Sequence, residues 1–276
     1  MPKPKTTKGK AKAKGRSLPE RQVAASTMKE ELNGVYAVWW REFKVFQREK
    51  SRVISSLVSP LMWLLLFGGG MGASVNVEGV NYQRFIYPGI LTMAVLFGSV
   101  FFGLYIVWDK KLDVLKAVLV APVSRVSIFF GKVLGGCTDV MIQASILLLL
   151  SVLFVPFNPL GLLLTLGILF ITAIAMVSMG LAIGSMFESL EGFQVVSTFL
   201  VFPLFFLSGA LYPINDQLPP WLHGVVLFNP LTYTVDGVRG ALLGLNTFPI
   251  AADVAAISGF AVLMIFVGSA MFSRLK

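Results

Sequence analysis

Apolar residues gather into six long runs along the chain, at about 54–71, 85–108, 128–155, 160–187, 193–212 and 254–272. A helix rises 1.5 Å per residue and needs about 20 residues to cross roughly 30 Å of hydrocarbon. The runs reach that length and are rich in Leu, Phe, Ile, Gly and Ala. None shows the ten-residue apolar–polar alternation of a membrane barrel. The pattern predicts an all-α integral membrane protein with six transmembrane helices. Ahead of the first run, Leu32, Val35, Tyr36, Trp39, Phe43 and Phe46 recur at steps of three and four. Lys29, Glu30, Arg41, Lys44 and Arg48 occupy much of the remaining circumference. This predicts an interfacial amphipathic helix, an elbow over 28–50, with Trp39 and Trp40 at headgroup depth. Residues 1–27 read as a disordered basic tail, leaving 51–276 as the six-span domain.

Between the fifth and sixth runs the chain is too apolar for an ordinary loop and too broken for a span. Pro219, Pro220 and Pro230 punctuate it, and proline favours the first turn of a helix. Two short helices are expected, at about Trp221–Phe228 and Leu231–Leu243. A full span here would set Asp236 and Arg239 near mid-bilayer at several kcal/mol. An outer re-entrant hairpin over about 219–245 avoids that cost, its irregular backbone shielded by protein. Spaced three apart, Asp236 and Arg239 are expected to neutralise each other.

Charge fixes orientation. Of the 23 Lys and Arg, 14 lie in residues 1–52 and five at 110–132, with two more at the carboxyl end. Only Arg84 and Arg239 fall on the opposite side. The positive-inside rule places both termini in the cytoplasm of a cell-membrane protein. A basic tail suits an anionic membrane surface, and without a reading surface it disfavours nucleic acid as a partner. The single cysteine, Cys137, and single histidine, His223, leave no disulfide framework and no metal cluster. No Ser, Asp, Glu or His constellation suggests a catalytic site.

Two polar features stand out. The cytoplasmic connection from Asp109 to Lys132 carries Leu112, Leu115, Val118 and Leu119 at spacings that give one apolar face on a two-turn helix. Pro122 stops that helix and Ser124 is placed to cap the next. Such a helix either rests on headgroups or inserts into a cytoplasmic partner. In the third run Lys132, Asp139 and Gln143 are spaced seven and four apart, near one helical face. A buried carboxylate there serves either helix packing or a transport path. Four pairs spaced GxxxG, Gly68/Gly72, Gly131/Gly135, Gly180/Gly184 and Gly240/Gly244, offer close packing, mostly within the chain.

The connection, with PVSR, an apolar run and Gly131-Lys132, resembles that of ABC type-2 permeases. FPLFFLSGALYP, LPPWL and NPLTYTVDGVRG, the last from Asn229 through Pro230 to Gly240, resemble the carboxyl-terminal pattern of the drug-resistance and nodulation-factor export branch. The connection departs from the family, with Asp109-Lys110 and LDVLKAVL where a Gly-Thr-Leu-Glu-like run is usual. The resemblance implies an exporter built from two permease subunits, a homodimer being favoured, and two copies of an ATPase. It assigns ATPase coupling to the region holding Asp109, Lys110, Lys111, Leu112, Asp113, Leu115, Lys116, Leu119, Pro122 and Arg125. It implies amphiphilic, lipid-linked, glycan or drug-like substrates. No GxxxxGK[ST] phosphate loop is present, so ATP and Mg are expected on the partner ATPase and no cofactor on this chain. An ion-gradient-driven transporter, with Asp139 as its candidate relay, and a non-transporting assembly protein are the rival readings.

Overall fold

The computed structural model describes residues 27–72, 74–119, 123–151, 159–215 and 218–275. Residues 1–26 of the expected tail, Pro122 and residues 152–155 of the third run fall outside the described residues. Among the described residues the chain is helical apart from turns and one short hairpin, β1 (Asn76–Val77) against β2 (Val80–Asn81).

Helix α1 (Met28–Arg48) begins on a capping box. Thr27 Oγ1 accepts from the Glu30 amide at 3.4 Å, and Glu30 Oε2 accepts from the Thr27 amide at 2.7 Å. Its apolar stripe is divided. Phe46 is buried, whereas Leu32 and Tyr36 are exposed, and the buried edge takes in Val38, which lies off the expected stripe. The buried edge packs on α7 (Arg125–Ser151), where Gly131 and Gly135 remove the obstacle. A Cβ at Gly131 would sit 2.6 Å from Val38 Cβ, and one at Gly135 2.6 Å from Glu42 Cβ.

Five helical stretches are long and apolar enough to cross a membrane: Val53–Gly72, Tyr82–Lys111, Arg125–Leu150, Pro159–Met186 and Ile250–Phe272. The first joins α2 (Lys50–Trp63), a π-helical stretch (Leu64–Gly69) and α3 (Gly70–Gly72). The second joins α4 (Tyr82–Phe102) and α5 (Leu104–Lys111), broken at Gly103. That break lies on α8 (Pro159–Met186), where backbone meets backbone. A Cβ at Gly103 would lie 2.0 Å from Gly180 O, and one at Gly184 2.3 Å from Gly103 O. The pairs Gly131/Gly135 and Gly180/Gly184 thus serve contacts within the chain.

The expected fifth span is shorter than its apolar run. Helix α9 (Leu190–Phe206) has 17 residues, and turns follow, with Gly209 left-handed at φ 71°. Pro203 sits in its last turn. The two short helices after it are present as α10 (Pro220–Phe228) and α11 (Pro230–Leu243), each with proline at its start. Asn229 caps α11, its Oδ1 accepting the Leu231 amide at 3.0 Å. The last helix is α12 (Ile250–Phe272), and it packs along α8. Gly268 permits that approach: a Cβ there would meet Ser178 O at 2.9 Å.

Candidate functional site

Lys132 is a basic side chain, yet it is wholly buried on α7. Its Nζ donates to Asp109 Oδ2 at 2.7 Å and to Glu42 Oε1 at 3.0 Å. Arg41 Nη2 donates in turn to Asp109 Oδ1 at 2.8 Å. Two cations and two carboxylates from α1, α5 and α7 therefore alternate in one junction. Removing a single member of such a set strands an uncompensated buried charge, at about 3–5 kcal/mol. Asp109 comes from the expected coupling region. Arg41 and Glu42 come from α1, where nothing in the sequence pattern singled them out for function. The available signal was Glu42 lying four residues from both Val38 and Phe46, a charge on the buried edge of the helix.

The rest of the 109–132 connection is fastened to other helices. Lys110 Nζ donates to the carbonyls of Gly184, Ser185 and Phe187 at 3.2, 2.8 and 3.0 Å. A cation on the last carbonyls of α8 satisfies orphan acceptors and complements the helix dipole. Glu31 of α1 accepts from the Ser124 amide and hydroxyl, at 3.1 and 2.8 Å. Ser124 caps α7 as expected, its Oγ accepting the Ser127 amide at 3.1 Å. Arg125 Nη1 donates to the carbonyls of Ser273, at 2.7 Å, and Leu275, just past α12.

Between these anchors lies α6 (Val114–Leu119). The single apolar face expected there is split. Leu112 precedes the helix and is 64% exposed, whereas Leu115 is 3% exposed and faces the core. Asp113, left-handed at φ 54°, separates them and turns the chain. Lys111 is exposed. The side chains of Lys116 and Leu119 lie outside the described residues.

Beside the charged junction is a cavity of about 880 Å³. Trp63 of α2, Phe97 and Phe101 of α4, and Phe202 and Phe205 of α9 line its apolar part. The walls meet edge to face: Trp63 and Phe205 centroids are 6.2 Å apart at 80°, Phe97 and Phe202 5.5 Å apart at 85°. Its polar part holds Arg41, Glu42, Glu49 and Asp109. Gln143 lines the cavity, whereas Asp139, also buried on α7, lies outside its lining.

The outer-hairpin residues are brought together differently from the expected ion pair. Asp236 accepts the Thr247 amide at 2.9 Å and the Phe248 amide at 2.8 Å. Arg239 donates to Gly209 O at 2.9 Å and lies over the Phe85 ring, 4.1 Å from its centroid. Asn229 Nδ2 donates to Leu204 O at 2.7 Å, tying α11 to α9, with Pro230 next in the chain as the first residue of α11.

Residues 33–243 match the family model described as ABC-2 type transporter. The chain belongs to that family. It is 28% identical over 239 residues to the inner membrane transport permease YadH of Escherichia coli strain K12, covering 84% of this chain and 89% of that protein. It is 24% identical over 242 residues to nodulation protein J of Rhizobium leguminosarum bv. viciae, covering 86% and 93%. The matched region of this ABC-2 family member takes in most of α1, the whole charged junction and both α10 and α11.

Proposed function

We propose that this chain is the inner-membrane permease subunit of an ATP-driven ABC exporter. In this reading α9 is the fifth of six spans, since 17 helical residues reach about 26 Å and bordering turns complete the crossing. Both termini face the cytoplasm, α1 is the elbow, and α10 and α11 form the outer re-entrant hairpin. Residues 109–125 receive the force of a separate ATPase, two copies of which serve a permease homodimer. The exported substrate is an amphiphile, and ATP and Mg belong to the partner.

The observation that carries this reading is the junction of Asp109 with Lys132 and Arg41. It joins the connection that would meet an ATPase to two other helices. Lys110 and Arg125 extend the linkage to α8 and α12. A push on the connection would therefore reach most cytoplasmic helix ends at once.

The test is purification of the full chain in mild detergent. A phosphate-loop ATPase should co-elute and show vanadate-sensitive hydrolysis that responds to amphiphiles. A folded, monodisperse permease that never retains an ATPase from its own membrane would refute the proposal.

A further inference from the structure

Asp253 is wholly buried in the first turn of α12, and among the described residues neither of its carboxyl oxygens has a hydrogen-bond partner. It sits where α12 meets α8 and α11. A Cβ built on Gly237 of α11 would lie 3.5 Å from Asp253 Oδ2 and 3.1 Å from Ile168 Cδ1 of α8. The carboxyl therefore rests against bare backbone and a methyl group. Nothing nearby compensates its charge. Helix α8 has no Lys, Arg, Asp or Glu, and α12 has no other. On α7, Arg125 and Lys132 flank Phe129, which meets Gly268, fifteen residues or about 22 Å along α12 from Asp253. Arg239 of α11 is turned away, with Nη2 donating to Gly209 O at 2.9 Å and the guanidinium 4.1 Å from the centre of the Phe85 ring. Among the described residues, the charged group that acts on Asp253 is Asp236 of α11, and Asp139 of α7 does not reach it.

We infer that Asp253 is a proton-binding site, and that its proton latches α12 against α11 beside Asp236. The two carboxyls have unlike surroundings. Asp236 accepts the Thr247 amide at 2.9 Å and the Phe248 amide at 2.8 Å, whereas Asp253 accepts nothing. A proton shared by such a pair goes to the member without donors. A buried carboxylate with neither donor nor cation is also far less stable than its neutral acid. A metal ion fits less well, because hard cations gather several oxygens at once and those of Asp236 already face backbone amides. As the neutral acid, Asp253 lies beside Asp236 without repulsion. Ionised, it would meet a second carboxylate next to Gly237, and the junction of α8, α11 and α12 would loosen. The site belongs to the folded chain itself and does not depend on the exporter reading.

The test compares the full chain in detergent with Asp253→Asn and Asp253→Leu, one replacement isosteric and one apolar. At neutral pH the infrared spectrum of the parent should contain the carbonyl stretch of an un-ionised carboxyl that both variants lack. Reversible unfolding in mixed micelles supplies an independent readout. Above about pH 4 the unfolded chain has released this proton, whereas the folded parent keeps it. The parent's folding equilibrium constant should therefore fall about tenfold per pH unit relative to either variant, until the folded carboxyl ionises. Replacing sodium and potassium by choline at constant ionic strength should change nothing. An infrared band absent from the parent, or retained by both variants, would overturn the assignment. So would parallel pH dependence of parent and variants, or stabilisation of the parent by alkali cations instead of acid. Should one variant misfold, the other supplies the comparison. Failure of both to fold would refute the inference outright, since a neutral acid without partners tolerates neutral replacement.

Discussion

Lys132 Nζ sits 2.7 Å from Asp109 Oδ2, although the two residues are 23 positions apart and belong to different helices. The contact closes the connection between α5 and α7 onto the bundle, because Asp109 and Lys132 are its two ends. Glu42 and Arg41 complete the balance of charge from a third helix.

Lys132→Met should destabilise the folded permease by about 3–5 kcal/mol, since both carboxylates lose their shared cation in a buried place. Adding Asp109→Asn should recover part of that loss. Thermal unfolding in detergent, followed by intrinsic fluorescence, measures both. A single mutant as stable as the parent would show that the junction is hydrated and contributes little.

Leu112→Asp should abolish ATPase association with the fold intact, because Leu112 is 64% exposed at the tip of the connection. Leu115→Asp should instead unfold the region, since Leu115 is 3% exposed. The two are separated by comparing co-purification with size-exclusion profiles. Retained ATPase in the Leu112 variant would place the docking surface elsewhere.

Gly180→Val should prevent accumulation of folded protein. A Cβ at this position already falls 2.4 Å from Val100 O, a backbone atom that no rotamer change can move aside. Gly69→Ala, with nothing within 4 Å of its Cβ, should be neutral or stabilise by up to about 1 kcal/mol. Yields of monodisperse protein and melting temperatures decide between these outcomes.

Asp236→Ala should loosen the turn between α11 and α12, where two backbone amides lose their acceptor at about 1–3 kcal/mol. Asp236→Asn, which keeps one acceptor oxygen, should cost less. Faster hydrogen exchange at Thr247 and Phe248 is the expected signature. Unchanged protection there would mean that solvent replaces the carboxylate without loss.

Much of the helical plan was readable in the sequence because long apolar runs and proline starts are local signals. Pro220 and Pro230 head α10 and α11 within one residue of the expected starts. The end of α9 was not readable from apolarity: its run continues to Tyr212, whereas the helix stops at Phe206 ahead of the left-handed Gly209, whose carbonyl accepts from Arg239. The candidate site was half legible. Asp109 stood out as a charge beside a span, and Lys132 as a charge inside one. Arg41 looked like the polar side of an amphipathic helix, because its partner Asp109 is contributed by α5; Glu42, not singled out, meets Lys132 of α7. Lys132, Asp139 and Gln143 share a helical face by spacing, yet Lys132 meets carboxylates, Gln143 lines the cavity and Asp139 does neither. Neighbours along α7 differ with depth, and spacing alone carries no information about depth.

The crossing of Gly103 with Gly180 and Gly184 has a mechanical corollary. Main chain rests on main chain there, so the two helices have no side-chain cushion across which to shear. They form a single strut, so in the proposed transport cycle a change of shape falls on the more loosely held α2 and α9, whose exposed faces bear Met62 and Phe199.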